Sequence, residues 1–310
     1  MKIIRPITIT DAMLTSCDVA EDDGSKGEWS VITAYTAGDT VRVTTTGVHK
    51  VYEALVNVTG GSSPEVDVLA DTPKWVEVSV TNRWKAFDSK IGSQTEQATS
   101  MSFQLTPGEY FDSIAFLNLS ATSITVTLTD SIKGVVYDET IDLLTTTISG
   151  VDTVKDWYTY FFSSITMITD VVKFDITPYL NAVVDITINY SGGTAKVGAI
   201  ILGTQTILGN TQYGAAIGIK DYSTFDVDDF GVYSITERDY SKTMEVEVEM
   251  LNAAISEIQS LLARYRATPI VWVAHEDYSC LIVYGFYKDF KIVIPYPTYS
   301  QCSLRIEGRT

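Results

Sequence analysis

The clearest pattern in the chain is the strict alternation of Lys242-Thr243-Met244-Glu245-Val246-Glu247-Val248-Glu249-Met250. A period of two predicts a strand with glutamates on one face and apolar side chains on the other. The period then changes. Leu251, Ala254, Ile255, Ile258, Leu261, Leu262 and Tyr265 fall at the spacing of an amphipathic helix. Arg264 and Arg266 suit its C-terminal dipole end, and Thr268-Pro269 stops it. Strands are expected next at 270–274, 279–287, 290–294 and 300–306, with His275-Glu276-Asp277 as a hairpin turn. Residues 233–310 therefore read as an α+β docking domain in which a four-strand meander packs on one helix.

Upstream the apolar runs are short and turn signals are frequent. Residues 82–232 read as a β-sandwich or jelly roll, with strands expected at 102–105, 113–119, 124–128, 135–143, 158–162, 171–176, 183–188 and 197–202. The glycine-rich stretch 203–218 reads as a loop around the edge of that domain. Residues 28–81 form a small β module. Gly38-Asp39, Gly47 and Gly60-Gly61-Ser62-Ser63-Pro64 supply its turns. Residues 1–27 read as an N-terminal arm, with a short strand at Ile3, Ile4 and Ile7 and an acidic linker Glu21-Asp22-Asp23. The fold class is mostly β: a small β module, a sandwich, and a C-terminal α+β domain with one helix.

Charge narrows the function. A formal charge of −17 without any basic run argues against nucleic-acid binding. No stretch approaches the ~20 apolar residues of a membrane span, and the first ten residues lack the apolar core of a signal peptide. Cys17, Cys280 and Cys302 are odd in number and widely spaced, so a disulfide framework or thiolate zinc site is not indicated, and Cys280 and Cys302 are expected to be buried thiols. Folding in a reducing cytoplasm follows.

Catalytic signatures are missing. The chain has no Gly-x-Ser-x-Gly, no Walker loop and no dinucleotide fingerprint. Its two histidines, His49 and His275, sit beside turns and are expected to face solvent. Asp226-Val227-Asp228-Asp229 is the densest acidic cluster and reads as a solvated loop without the ligand spacing of an EF-hand. No catalytic residue, metal site or cofactor is expected, and the chain reads as a protein that is not an enzyme.

The aromatic residues of the small module leave two readings open. Trp29, Tyr35, Tyr52 and Trp75 are either the core of a unit with little else to bury, or a stacking platform for sugar rings. Their order, with Gly38-Asp39-Thr40-Val41, Tyr52-Glu53-Ala54 and Gly60-Gly61 between them, resembles the small chitin- and cellulose-binding modules of bacterial chitinases. That resemblance covers about one sixth of the chain and implies that Trp29, Tyr35, Tyr52 and Trp75 contact glycan. Leu55 and Val56 stand where that family has a further aromatic residue.

Longer stretches resemble bacteriophage virion proteins of the tail, baseplate or neck. They are 81–88, Val197-Gly198-Ala199-Ile200 through Gly209-Asn210-Thr211-Gln212-Tyr213-Gly214 to Asp221-Tyr222-Ser223, Ala267-Thr268-Pro269-Ile270-Val271-Trp272, Tyr284-Gly285-Phe286-Tyr287, and Cys302-Ser303-Leu304-Arg305-Ile306-Glu307-Gly308. This likeness implies a multi-copy structural subunit of the virion. Its partners would be other tail, baseplate or neck proteins and further copies of itself in a symmetric homo-oligomer, with host-surface polysaccharide as an additional contact. The alternatives are a glycan-binding adhesin and a polysaccharide-degrading enzyme.

Overall fold

The computed structural model describes residues 1–145, 166–227, 230–231 and 233–309. Strands β1 (Lys2–Pro6) and β2 (Leu14–Cys17) open the chain. The small module contains β3 (Ala34–Tyr35), β4 (Thr40–Val43), β5 (Lys50–Ala54), β6 (Val58–Thr59), a one-turn helix α1 (Pro64–Asp67) and β7 (Trp75–Val80). Then come β8 (Thr95–Leu105), β9 (Ser113–Leu117), β10 (Ser123–Asp130), β11 (Gly134–Asp142) and β12 (Leu144–Thr145). Strands β13 (Thr166–Met167), β14 (Val171–Lys173), β15 (Val183–Val197), β16 (Ala199–Ile207), β17 (Asn210–Thr211), β18 (Ala216–Asp221), β19 (Thr224–Val227) and β20 (Tyr233–Thr236) follow. The chain finishes with β21 (Tyr240–Leu251), helix α2 (Ile255–Arg264), β22 (Ile270–Val273), β23 (Ile282–Val293) and β24 (Tyr299–Gly308).

Among the described residues the largest sheet has ten strands in the order β14-β9-β16-β1-β22-β23-β24-β21-β17, with β18 also on β21. It curls into half a barrel. Strand β1 is the joint. It pairs antiparallel with β16 on one side and with β22 on the other. Successive side chains of a strand point to opposite faces, so Ile3 and Ile4 enter different cores, and both are fully buried. Gly203 is required where β16 passes β1, because a Cβ there would stand 2.1 Å from the Arg5 carbonyl oxygen.

Each face of this sheet is covered differently. On one side of β9 and β16, Ile114, Phe116, Ile200 and Leu202 meet the inward residues of a five-stranded sheet, β11-β10-β15-β8-β2. This is the expected sandwich, and the alternation Ile124-Thr125-Val126-Thr127-Leu128 does place its apolar residues inside. On β21 to β24, Met244, Val246, Val248, Cys302, Leu304 and Ile306 pack under Ile258 and Leu262 of α2. Inside the curl lie Ile4, Ala115, Leu117, Ile201, Val271, Val273, Ile282 and Tyr284. The buried Cys302 thiol is pushed up to about 11 by its apolar surroundings.

Several expectations are corrected. The terminus read as an arm contributes the central strand of the largest sheet, because Ile3 and Ile4 have a core on each side of them. That sheet also crosses the boundary expected near 232, since β9, β14 and β16 share it with β21 to β24. Stretch 203–218 is not a loop. It completes β16 and then forms β17 and β18 along β21. The two strands expected at 279–287 and 290–294 are a single strand, β23, with a register shift between Tyr287 and Asp289. Leu251 ends β21 instead of starting the helix, and Cys280 is exposed. The strand expected at 158–162 lies outside the described residues.

Candidate functional site

The four aromatic residues of the small module do converge, but inward. Tyr35, Tyr52 and Trp75 are at most 3 % exposed and form one cluster with Val41, Val43, Ala54 and Val58. The rings of Tyr35 and Trp75 meet edge to face, with centroids 5.3 Å apart at 73°. The Tyr35 hydroxyl accepts the Ser30 N–H at 2.7 Å. Burial pushes the Tyr52 phenol up to about 12. Trp29 is half-buried against the same cluster. The sugar platform that the resemblance implies for Trp29, Tyr35, Tyr52 and Trp75 is thus not assembled on the surface. With about fifty residues, the module has too little aliphatic mass to form a core without these rings.

His49 is also placed differently from its expected solvent-facing position. It stands in the turn between β4 and β5 with φ +44°, a left-handed conformation uncommon outside glycine. Its Nδ1 is 3.0 Å from Glu21 Oε2 and its Nε2 is 3.0 Å from Asp11 Oδ2. The ring stacks on Trp84 at 4.8 Å. Glu21 also pairs with Arg83 at 3.1 Å and accepts the Thr81 hydroxyl at 3.2 Å. Both ring nitrogens therefore donate when the imidazole is protonated, and the clamp ties the small module to the segments on either side of it.

Burial works to lower the His49 pKa, but Glu21 and Asp11 outweigh it and hold the pKa above the ordinary 6.5. A raised folded-state pKa means stabilisation that is complete below the unfolded value and is lost as pH rises through the folded value. Seating of the module is therefore expected to loosen on the alkaline side of 6.5, and His49→Gln to flatten that dependence. Trp84 fluorescence against pH checks this, with a histidine midpoint by NMR at or below 6.5 counting against the clamp.

A cavity of about 250 Å³ opens where the half-barrel draws its ends together, lined in part by Asn118, Asp170, Lys242, Tyr284 and Arg309. Asp170 precedes β14 at one end of the strand order, and Lys242 lies in β21 near the other. Their ion pair measures 2.5 Å. The Asp170 carboxylate also accepts the Thr169 hydroxyl at 2.9 Å and the Asn118 N–H at 3.1 Å. The carboxylate is thus engaged in bracing the curl. His275 is exposed on the β22–β23 turn beside Asp277. Among the described residues no group of three or more His, Cys, Asp or Glu is placed to hold a metal ion, and no helix is long and apolar enough to cross a membrane.

The surface that stands out is a hairpin that sequence reading passed over. Among the described residues strands β19 and β20 pair only with each other, with Phe225 opposite Ile235 and Val227 opposite Tyr233. Directly paired residues share a face. One face is therefore wholly apolar, and Thr224, Asp226, Ser234 and Thr236 occupy the other. The four apolar side chains are 55–68 % exposed. At the root the Lys220 ammonium reaches Glu307 at 3.0 Å and the Tyr222 hydroxyl donates to the same carboxylate at 3.2 Å. Arg238 N–H donates to the Ser223 hydroxyl at 3.0 Å, which closes the neck of the hairpin. The signal was present in the alternation of Thr224-Phe225-Asp226-Val227 and Tyr233-Ser234-Ile235-Thr236 around Gly231. The neighbouring aspartates drew the reading to a solvated loop, and Asp228 and Asp229 of that cluster lie outside the described residues.

The chain matches no protein-family model, and no curated protein is significantly similar to it in sequence.

Proposed function

We propose that this protein is a non-enzymatic structural subunit of a bacteriophage particle, in the tail, baseplate or neck, and that it works by self-association and by docking to neighbouring virion proteins. The amphipathic β19–β20 hairpin carries this reading. An isolated two-stranded hairpin is marginal in water, and cross-strand pairs of this kind contribute only about 0.2–1 kcal/mol each. Yet its whole apolar face, Phe225, Val227, Tyr233 and Ile235, is turned to solvent. Such a face becomes stable and useful when another molecule covers it. The likeness of stretches 81–88 and 197–223 to virion proteins supports a phage setting. The burial of Tyr35, Tyr52 and Trp75 weighs against sugar contact as the main task of the small module.

The full chain is expected to sediment as a concentration-dependent oligomer. Phe225→Asp combined with Tyr233→Asp is expected to weaken association at least ~100-fold, because each removes roughly 1.5–3 kcal/mol of apolar burial. Sedimentation velocity reads this directly. A wild-type chain that stays monomeric at every concentration reached, alone and with purified particles, would overturn the proposal.

A further inference from the structure

The small module meets the rest of the chain through few groups. Its buried cluster around Tyr35, Tyr52 and Trp75 holds no residue from outside the module, and the sandwich core holds none from inside it. Apolar packing therefore does not fasten one to the other. The chain enters the module through 19–23 and leaves it through 81–83, and these two crossings lie side by side. Asp23 accepts the Asn82 N–H at 2.8 Å, Glu21 accepts the Thr81 hydroxyl at 3.2 Å, and the Arg83 side chain donates to the Val19 carbonyl at 2.8 Å. Two adjacent crossings of this kind have the form of a hinge.

Away from the crossings, and among the described residues, the module is held at one turn, 44–49, by two carboxylates of the body. Asp11 accepts the Gly47 N–H at 2.8 Å and faces His49 Nε2, and Glu21 faces His49 Nδ1. Val48 of the same turn packs on the module's own core, so His49 moves with the module. Its ring lies on Trp84, which leads through Phe87 to the fully buried Phe103 of the sandwich. His49 is thus the point where two separate cores are coupled.

We infer that the small module is a hinged arm, latched to the body while His49 is protonated and released to swing about the paired crossings when that proton leaves. A protonated imidazole donates from both nitrogens and satisfies Glu21 and Asp11 together. A neutral one donates from a single nitrogen, so one carboxylate then faces a lone pair at 3.0 Å. Neighbouring charges reinforce the difference. Arg83, 3.1 Å from Glu21, compensates one of the two negative charges, and loss of the proton leaves the other without a counter-charge. The seated position also carries a standing cost, because the Trp84 indole N–H is buried without an acceptor among the described residues. Swinging out hydrates it. With the His49 pKa held above 6.5, the latch is complete below that value and weakens as pH climbs from there to the seated pKa. One linked proton changes the seated-to-released ratio by at most about tenfold per pH unit. Neither hinge nor latch involves the β19–β20 hairpin, so the arm stands or falls apart from the proposed self-association.

Spin labels at Asp71→Cys on the module and Ser131→Cys on the sandwich, both exposed positions, read the swing. The full chain carries Cys17→Ser and Cys280→Ser, keeps the buried Cys302, and is diluted with unlabelled copies so that only distances within one copy are measured. One narrow distance is expected below pH 6.5. A second, broader population is expected above it, growing by up to about tenfold relative to the first per pH unit. His49→Asn removes the titrating ring, and asparagine tolerates the left-handed backbone there, so both populations are expected at every pH. Hydrogen exchange is expected to show β4 and β5 amides protected throughout, with the Gly47 amide opening in step with the second distance. A single distance that persists while His49 titrates would overturn the hinge, as would a His49→Asn chain that keeps only the narrow distance. Faster Gly47 exchange without a second distance would overturn it too, since the turn alone would then be fraying. A second distance accompanied by loss of β4 and β5 protection would count the same way, because the module would be unfolding.

Discussion

Ile4→Asp is expected to abolish the folded ten-stranded sheet. Ile4 is fully buried inside the half-barrel, among Ala115, Leu117, Ile201, Val271 and Val273. A carboxylate there has no polar partner and loses its hydration, a cost of several kcal/mol. Among the described residues strand β1 is also the only link between β16 and β22 in the strand order, so its loss separates the sandwich half of the sheet from the half under α2. The expected destabilisation, ~5 kcal/mol or more, is comparable to the whole stability of an ordinary domain. Ile4→Val removes one methylene and is expected to cost only about 0.5–1.5 kcal/mol. Chemical denaturation of the pair provides the comparison. A wild-type midpoint for Ile4→Asp would mean that the N-terminal strand is not part of the sheet.

Trp75→Ala has the second largest expected effect, confined to the small module. Trp75 is the largest side chain in a cluster of seven buried residues and packs edge-on against Tyr35. Its removal leaves a cavity and is expected to cost about 3–5 kcal/mol. A core of this size supplies about 3–5 kcal/mol in total, so the module is expected to unfold while the sandwich remains intact. Hydrogen exchange resolves the two regions. Amides of β4, β5 and β7 should lose protection, and those of β8, β10 and β15 should keep it. A sugar platform predicts a different result, in which the module stays folded and loses only glycan binding. Retained protection in β5 and β7 would therefore revive the platform and count against the core.

How much could be read from the sequence depended on how local the signal was. The alternation 242–250 gave both the strand and its buried face, because a period of two needs no knowledge of the partner. The helix after it was readable for the same reason, although its start was expected at Leu251, which ends β21, while α2 begins at Ile255. The aromatic residues of the small module show the limit. Composition and spacing identified Trp29, Tyr35, Tyr52 and Trp75 as residues that matter, but they could not say whether the rings point in or out. That direction depends on which strands pair across the unit.

The chain's own pattern determined its mostly β class, the sandwich strands, the amphipathic helix near the C-terminus and its acidic, motif-free character. Only the tertiary structure decided that β1 is central, that one sheet joins the middle and C-terminal regions, and that His49 sits between two carboxylates. It also decided that the apolar face of the β19–β20 hairpin is left uncovered. The physical reason is separation along the chain. Ile3 lies opposite Thr206 and Trp272, and His49 meets Asp11 across 38 positions. Periodicity tells each residue which face it prefers. It does not say which distant segment will cover that face, or that none will.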